Sequence, residues 1–433
     1  MVASGKGKGF GGSFSGPVLG RRGVFALGGL SAGAGVLSAC GGNTGRGEAD
    51  GDGPVLSQWY HEYGEAGTQQ AALDYAAAYP DARVGVEWIP GDYDAALSSG
   101  LLAEDEAPDC FESHLNRGMV EAGQLEPLDD LVADVIDDIP ESDLARNTLD
   151  GTVYGIRMID DPQYIVYRPS MFEAAGIAGP PETFDELVDM AVELDSGEVK
   201  GIDFGEASGA DRLGQHMIHS LGLSFIGADR QAGFDDARMA EGAGSVRRLS
   251  ESGALLLGAP TAWWDPSSML QGLTAMSWTG LWTMPALLEG LGDDIGIFPC
   301  PGFAGGAPTV FNGGWSAFVN ANGPNVEAAK AFTKWLWVDH EEFILDWCLS
   351  YGFHIPSRLS LRAQADELTS GPAAEAVAIA DEFGWAEDPD WTPAMNTAVN
   401  DMMSNIVIEG ADPEEELAAA VATVNDELDG IFG

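Results

Sequence analysis

From Val55 onward short extended runs alternate with helical ones, and no other feature of the chain constrains its fold as much. Val55 to Tyr60 reads as a strand and leads into a helix from Thr68 to Tyr79. Val84 to Ile89 leads into Tyr93 to Ala103, and Cys110 to Phe111 into Asn116 to Gly123. Strands that take turns with helices pack as a parallel sheet covered on both faces, because each helix buries an apolar stripe as the chain returns to the next strand. A second series opens at Tyr164 to Tyr167. It continues through a helix marked by Pro180-Pro181 and the capping box Thr183-Phe184-Asp185-Glu186. Two series predict two α/β lobes. Later, Trp315 to Val319 reads as a strand before a helix from about Val326 to Val338, and everything beyond Pro356 reads as helical. A length of 433 residues leaves room for two or three cores at about 150 residues each.

The first 39 residues carry an address. Lys6, Lys8 and the adjacent Arg21-Arg22 precede a weakly apolar run from Val24 to Val36, which ends in Leu37-Ser38-Ala39-Cys40. That run is well short of the ~20 residues a membrane-spanning helix needs. It reads as an export signal, residues 1–39, rather than an anchor. Paired arginines before a mild apolar core resemble a twin-arginine signal, although Phe25 stands one position late and Sec export stays open. Leu37 to Cys40 resembles a lipobox, in which the thiol of the new N-terminus, Cys40, accepts a diacylglyceryl group. Residues 40–54, polar and Gly-rich, read as a flexible tether on a membrane lipoprotein.

Charge narrows the partners. The chain carries 20 Lys plus Arg against 69 Asp plus Glu, a net charge of -49, and the leader contributes four basic residues and no acid. A mature chain this acidic repels phosphate backbones and has no basic stripe, which argues against nucleic acid. Neither a phosphate-gripping loop nor a serine nucleophile elbow is present, and His61-Glu62 lacks the second histidine of a zinc protease motif. His216 and His219 share a helix face but have no acid or thiol at ligand spacing, so no metal and no cofactor are expected. Cys110, Cys300 and Cys348 are too scattered for a redox motif; one disulfide or three buried thiols both fit.

One stretch carries a resemblance. It runs from Asp150-Gly151-Thr152-Val153-Tyr154-Gly155-Ile156 through Tyr164-Ile165-Val166-Tyr167-Arg168 to Met171-Phe172-Glu173-Ala174-Ala175-Gly176-Ile177, then Pro181 and Thr183 to Leu187. This is similar to the crossover between lobes in family 1 of the extracytoplasmic solute-binding proteins, the sugar-binding lipoproteins of ABC importers. Pro108-Asp109 with Gly123 to Leu128, Gly272 to Met276 with Gly280-Leu281-Trp282, and Gly313-Gly314-Trp315 follow in the family's order. The resemblance implies a two-lobed, periplasmic-binding-protein-like α/β fold with crossovers near residues 160, 300 and 350. Its first lobe would comprise 55–160 plus 303–352 and its second 161–302 plus 353–433. A carbohydrate would bind in the cleft, ABC permease subunits would be the partner, and the chain would act as a monomer without catalysis.

Sugars need carboxylates or amides at their rims and flat aromatics over their faces. Trp282, after the strand end at Gly280, and Trp315, after Gly314, are the candidate stacking rings, with Trp391 a third that packing would explain equally well. Trp335, Trp337 and Trp347 lie in helical patterns and read as packing, while Trp263-Trp264 either lines the second lobe or, as one ring of an adjacent pair usually does, faces its core. Asp161 resembles the family's hydroxyl-binding acid. Tyr60 and Glu62 follow the first strand, where open α/β sheets bind ligands, or belong to a solvated loop. Arg117 either forks onto two hydroxyls or balances nearby acid. The rival classes are a secreted polysaccharide-acting enzyme and the same fold holding a polyol or sugar phosphate. Adjacent Asp160-Asp161 on an extended strand point to opposite sides, which does not suit cleavage of one glycosidic bond.

Overall fold

The computed structural model describes residues 53–103, 107–205, 210–258 and 265–433. The export signal, Cys40 and Trp263-Trp264 lie outside the described residues. β1 (Val55–His61), β2 (Arg83–Ile89) and β3 (Cys110–Ser113) form first, then a small hairpin of β4 (Thr148–Leu149) and β5 (Thr152–Val153), and then β6 (Ile156–Arg157). The chain next builds β7 (Ile159–Tyr167), β8 (Lys200–Asp203), β9 (Thr274–Gly280), β10 (Gly296–Phe298) and β11 (Val310–Gly313). It ends with β12 (Ser316–Val319), β13 (Ile355–Pro356) and β14 (Gly384–Trp385). The first lobe is a five-stranded sheet in the order β2-β1-β3-β12-β6. The second runs β14-β11-β7-β9-β8, with β10 and β13 also on β7.

The sheets are mixed rather than parallel. β1 is parallel to β2 and β3, as the alternation predicts, but β12 runs antiparallel to β3, and β7 antiparallel to β9 and β11. Both exceptions are strands that arrive from the other lobe and so enter against the local direction. Local sequence explains the elements themselves. β1 alternates, with Leu56, Gln58 and Tyr60 inward, whereas β9 is buried at all seven positions and shows no alternation. The helix Phe184–Leu194 opens on the expected box: Thr183 Oγ1 accepts from the Glu186 N–H at 3.2 Å, and Glu186 accepts from the Thr183 N–H at 3.3 Å. It buries Phe184, Leu187, Val188, Ala191 and Leu194, one helical stripe. Cys110, Cys300 and Cys348 are buried and free, and burial pushes the Cys110 thiol up to about 12. The late segment is helical except for β14.

Sheet membership corrects one boundary. The second crossover falls between β11 and β12, at residues 313–316, not near 300. Pro301-Gly302 begins a tight turn inside the second lobe, closed by the Cys300–Thr309 bridge; a Cβ at Gly302 would lie 2.1 Å from the Gly306 carbonyl oxygen.

A buried ionic cluster joins the three crossovers. Asp160, at the start of β7 and 1% exposed, accepts from Arg157 at 2.9 Å, Arg146 at 3.3 Å and Arg362 at 2.8 Å. Arg157 also donates to the Gly313 and Gly314 carbonyls, Arg146 to Asn312 O at 2.9 Å, and Arg362 to Pro356 O at 2.7 Å. Burial alone would raise the Asp160 pKa, but the three guanidiniums outweigh it and hold it below the ordinary value. Asp143, which receives Arg362 at 2.9 Å, moves the other way, up through burial and the charge of Asp160.

Candidate functional site between the lobes

The C-terminal ends of β1 and β3 bring a compact polar group to the edge of the first lobe. Glu112, buried on β3, accepts from the His61 N–H at 2.6 Å, meets His61 Nδ1 at 2.5 Å and accepts from the Tyr63 hydroxyl at 2.7 Å. Its own carbonyl accepts from Tyr93 Oη at 2.8 Å. Burial, then the charge of Glu112, pushes both tyrosine hydroxyls well above their ordinary pKa, so they remain donors. The indole of Trp315, partly exposed at the entry to β12, stacks on His61 with centroids 4.3 Å apart. It also lies 4.6 Å from His114 and meets Tyr93 edge-on at 5.8 Å. Burial lowers the pKa of His114 to about 4, so this ring is neutral.

Gly314 explains the placement of Trp315. Its φ is +106°, and a Cβ there would sit 2.1 Å from the Ile159 carbonyl oxygen, so only glycine lets the second crossover lie flat on the first. Its carbonyl accepts from Arg157 at 2.9 Å and faces His114 Nε2 at 3.1 Å.

The crossovers and second lobe supply the opposite side. Asp161, buried beside Gly313 in the β7–β11 register, pairs with His354 Nδ1 at 2.6 Å. Gln163, two residues on, lies opposite Gly280 on β9. The partly exposed ring of Trp282 folds back over Gly280 so closely that a Cβ at 280 would lie 1.9 Å from it. Trp282, Gln163 and Asp161 therefore occupy one corner, and Glu65 of the first lobe reaches it at 3.5 Å from His354 Nε2. A cavity of about 370 Å³ opens elsewhere on the lobe boundary, walled by Arg146 on one side and His219, Phe225, Glu387 and Pro389 on the other. Glu387 acts electrostatically on His114, which relates the cavity to the aromatic corner.

The structure thus brings Asp161, Trp282, Gly314 and Trp315 to the lobe boundary. It distributes the other candidates differently. Tyr60 is 1% exposed and packs against Trp88 and Trp347 in the first-lobe core; alternation along β1 turns it away from the edge that His61 occupies. Glu62 is exposed. Arg117 is committed to Asp390 at 2.6 Å and Asp150 at 3.1 Å, and its N–H donates to Pro389 O, so it bridges the lobes. Trp391 is 6% exposed, stacked 4.6 Å from Phe225 in the second-lobe core. Trp337 and Trp347 are buried packing residues, as their helical setting predicts. His216 is buried, with Nδ1 2.9 Å from Thr309 Oγ1, and His219 stacks on Trp385. Among the described residues no group of His, Cys, Asp and Glu is arranged to hold a metal, and no helix is long and apolar enough to cross a membrane. Sequence reasoning passes over Glu65, Tyr63, Tyr93, Glu112, His114 and His354, none of which stands in a recognisable motif; the strand ends were the available signal for His61 through Glu65.

The family model described as bacterial extracellular solute-binding protein matches residues 58–337. A binding protein of Brucella abortus (strain 2308) is 28% identical over 138 residues, 31% of this chain and 34% of that protein. The chain thus spans about a third of the length of the curated relatives it matches. An ABC transporter solute-binding protein of Thermotoga lettingae, solved with α-D-tagatose, superposes with a TM-score of 0.74 at 20% identity, covering 86% of this chain and 99% of that one. The GacH receptor of Streptomyces glaucescens, solved unliganded and with acarbose, gives 0.73 at 19% identity over 87% and 98%. A substrate-binding protein of Listeria monocytogenes in complex with cycloalternan gives 0.72 at 17% over 87% and 100%. These likenesses establish the two-lobed fold. With the family model spanning well over half of its length, the chain belongs to the bacterial extracellular solute-binding proteins.

Proposed function

We propose that the protein captures a neutral mono- or oligosaccharide between its lobes and delivers it, unaltered, to ABC permease subunits, as a monomer anchored to the outer face of the cell membrane through lipid on Cys40. The observation that carries this reading is that the lobe boundary holds two partly exposed indoles, Trp315 stacked on His61 and Trp282 over Gly280, together with the carboxylates of Asp161 and Glu65 and the amide of Gln163. Rings cover the weakly polarised faces of a sugar, and the polar groups take its hydroxyls. Structural neighbours solved with tagatose, acarbose and cycloalternan support the same ligand class. A ligand that touches both lobes stabilises the shut form by its differential contacts, and the shut form is what a permease reads. The acids around the site disfavour a sugar phosphate. Hydrolysis by the Asp160-Asp161 pair is disfavoured because Asp160 is spent on three arginines.

A thermal-shift screen of neutral mono- and oligosaccharides tests the function: ligand at a hundred times its Kd adds about 2.7 kcal/mol of stability. Melting unmoved by every sugar contradicts the reading, as does turnover of a labelled oligosaccharide. Trp282→Ala is expected to weaken sugar binding by about 2 kcal/mol, roughly thirtyfold, while the melting temperature without ligand stays nearly unchanged. A ring that served only packing would instead lower apo stability by about 3–5 kcal/mol. Cys40→Ala is expected to release the protein from the membrane fraction or leave its leader uncut; a variant that is processed and stays membrane-bound removes the anchor from the account.

A further inference from the structure

His354 sits where three segments meet. It lies in Tyr351-Gly352-Phe353-His354-Ile355-Pro356, the third crossover, with its N–H on the Cys348 carbonyl at 2.9 Å and its ring 3% exposed. Nδ1 faces Asp161 Oδ1 at 2.6 Å on β7, and Nε2 faces Glu65 Oε1 at 3.5 Å in the loop after β1. Gly352 makes that approach feasible: a Cβ there would stand 2.9 Å from Glu65 Cγ and 3.0 Å from the Trp282 carbonyl oxygen. A neutral imidazole has one N–H and one lone pair, so with a carboxylate at each nitrogen the lone pair would oppose one of them. An imidazolium turns an N–H toward each.

We propose that His354 is a positioning residue that carries a proton between Asp161 and Glu65, orients Asp161 for the ligand's hydroxyls, and makes sugar capture strengthen as pH falls. This rests on the carbohydrate reading of the cleft and adds a regulation to it. Asp161 belongs to the first crossover and Glu65 to the first lobe, and the ring lies between them.

The charges around the ring favour the proton. From β7 it faces Asp161, and from the first lobe Glu65, on which His61 also acts; the Tyr63, Tyr164 and Cys348 groups nearby are neutral and held so by burial. Asp160 is engaged by Arg157, Arg146 and Arg362. Burial works against a charged ring, but the charge and hydrogen bond of Asp161 and the charge of Glu65 outweigh it, and the His354 pKa is raised. Burial raises that of Glu65 as well. Loss of the proton turns a lone pair toward one of the two carboxylates and releases the orientation of Asp161. A ligand that prefers the charged ring then takes up protons on binding, and by linkage the Kd rises as pH rises through the pKa of His354, by at most about tenfold per pH unit.

The test combines calorimetric titration of the mature chain with maltose, mannotriose and tagatose between pH 5 and 8 with NMR titration of the His354 ring in the ligand-free protein. Expected are a wild-type Kd that rises at least about threefold per pH unit within that window, and a His354→Gln variant that binds about tenfold more weakly with no slope. The ring should titrate above its ordinary ~6.5 and shift down in Glu65→Gln, which serves if His354→Gln does not fold. A pH-independent wild-type Kd, a slope retained in His354→Gln, or a ring titrating at or below ~6.5 and indifferent to Glu65→Gln would overturn the proposal. If none of the three sugars binds at any pH, the carbohydrate reading and the capture step fall together, and the ring titration still decides whether the shared proton exists.

Discussion

Asp160→Ala is expected to lower the unfolding free energy by about 3–5 kcal/mol, the usual cost of leaving buried charge without its partner. Three guanidiniums converge on this carboxylate, and each also holds a carbonyl or acid on another crossover. Removing Asp160 leaves Arg157 buried with only carbonyl acceptors and takes from Arg146 and Arg362 the anion that draws them together. Asp150→Ala, at the 75%-exposed end of the Arg117 pair, is the control and should change stability by no more than ~1 kcal/mol, as surface ion pairs do. Urea unfolding of both variants makes the comparison. A loss below about 1 kcal/mol at Asp160 would mean that the arginines find other partners and that the cluster does not fasten the crossovers.

Trp391→Ala is expected to cost a similar amount, about 3–5 kcal/mol, and to leave the sugar affinity of the folded fraction unchanged. The ring fills second-lobe core between Phe225 and Phe234, and its indole N–H meets no protein acceptor among the described residues. A phenyl group keeps most of the apolar contact without that buried donor, so Trp391→Phe should restore most of the stability. Chemical denaturation together with sugar titration separates the outcomes. If Trp391→Ala kept wild-type stability and lost affinity, the ring would rejoin Trp282 and Trp315 as a ligand platform.

The contrast between Trp282 and Trp391 marks how far the sequence can be read. Trp282 follows a strand end whose glycine is visible in Thr279-Gly280, and a strand end at a lobe boundary is a local feature. Trp391 precedes Thr392-Pro393, an equally clear helix start, yet its burial depends on Phe225, more than 150 residues away in the chain, and no local pattern encodes that. The same holds for Tyr60. Its position at the end of β1 is legible, but which parity of the strand faces the core is set by the helices packed on it, and the boundary position goes to His61. The mixed direction of the sheets is hidden for a related reason, because direction is decided by which lobe a strand arrives from. Asp161 was legible through its place in the crossover pattern. His354 was not, since its chemistry comes from two carboxylates that the chain supplies roughly 190 and 290 residues earlier.

Capture without chemistry is the proposed role. Calorimetric titration of the mature chain with neutral saccharides, followed by chromatography of the sugar recovered from the cell, tests it most directly. Expected is saturable binding of at least one sugar at one site per chain, with that sugar returned intact. Heat from none of them, or a recovered sugar that has been cleaved, would contradict it.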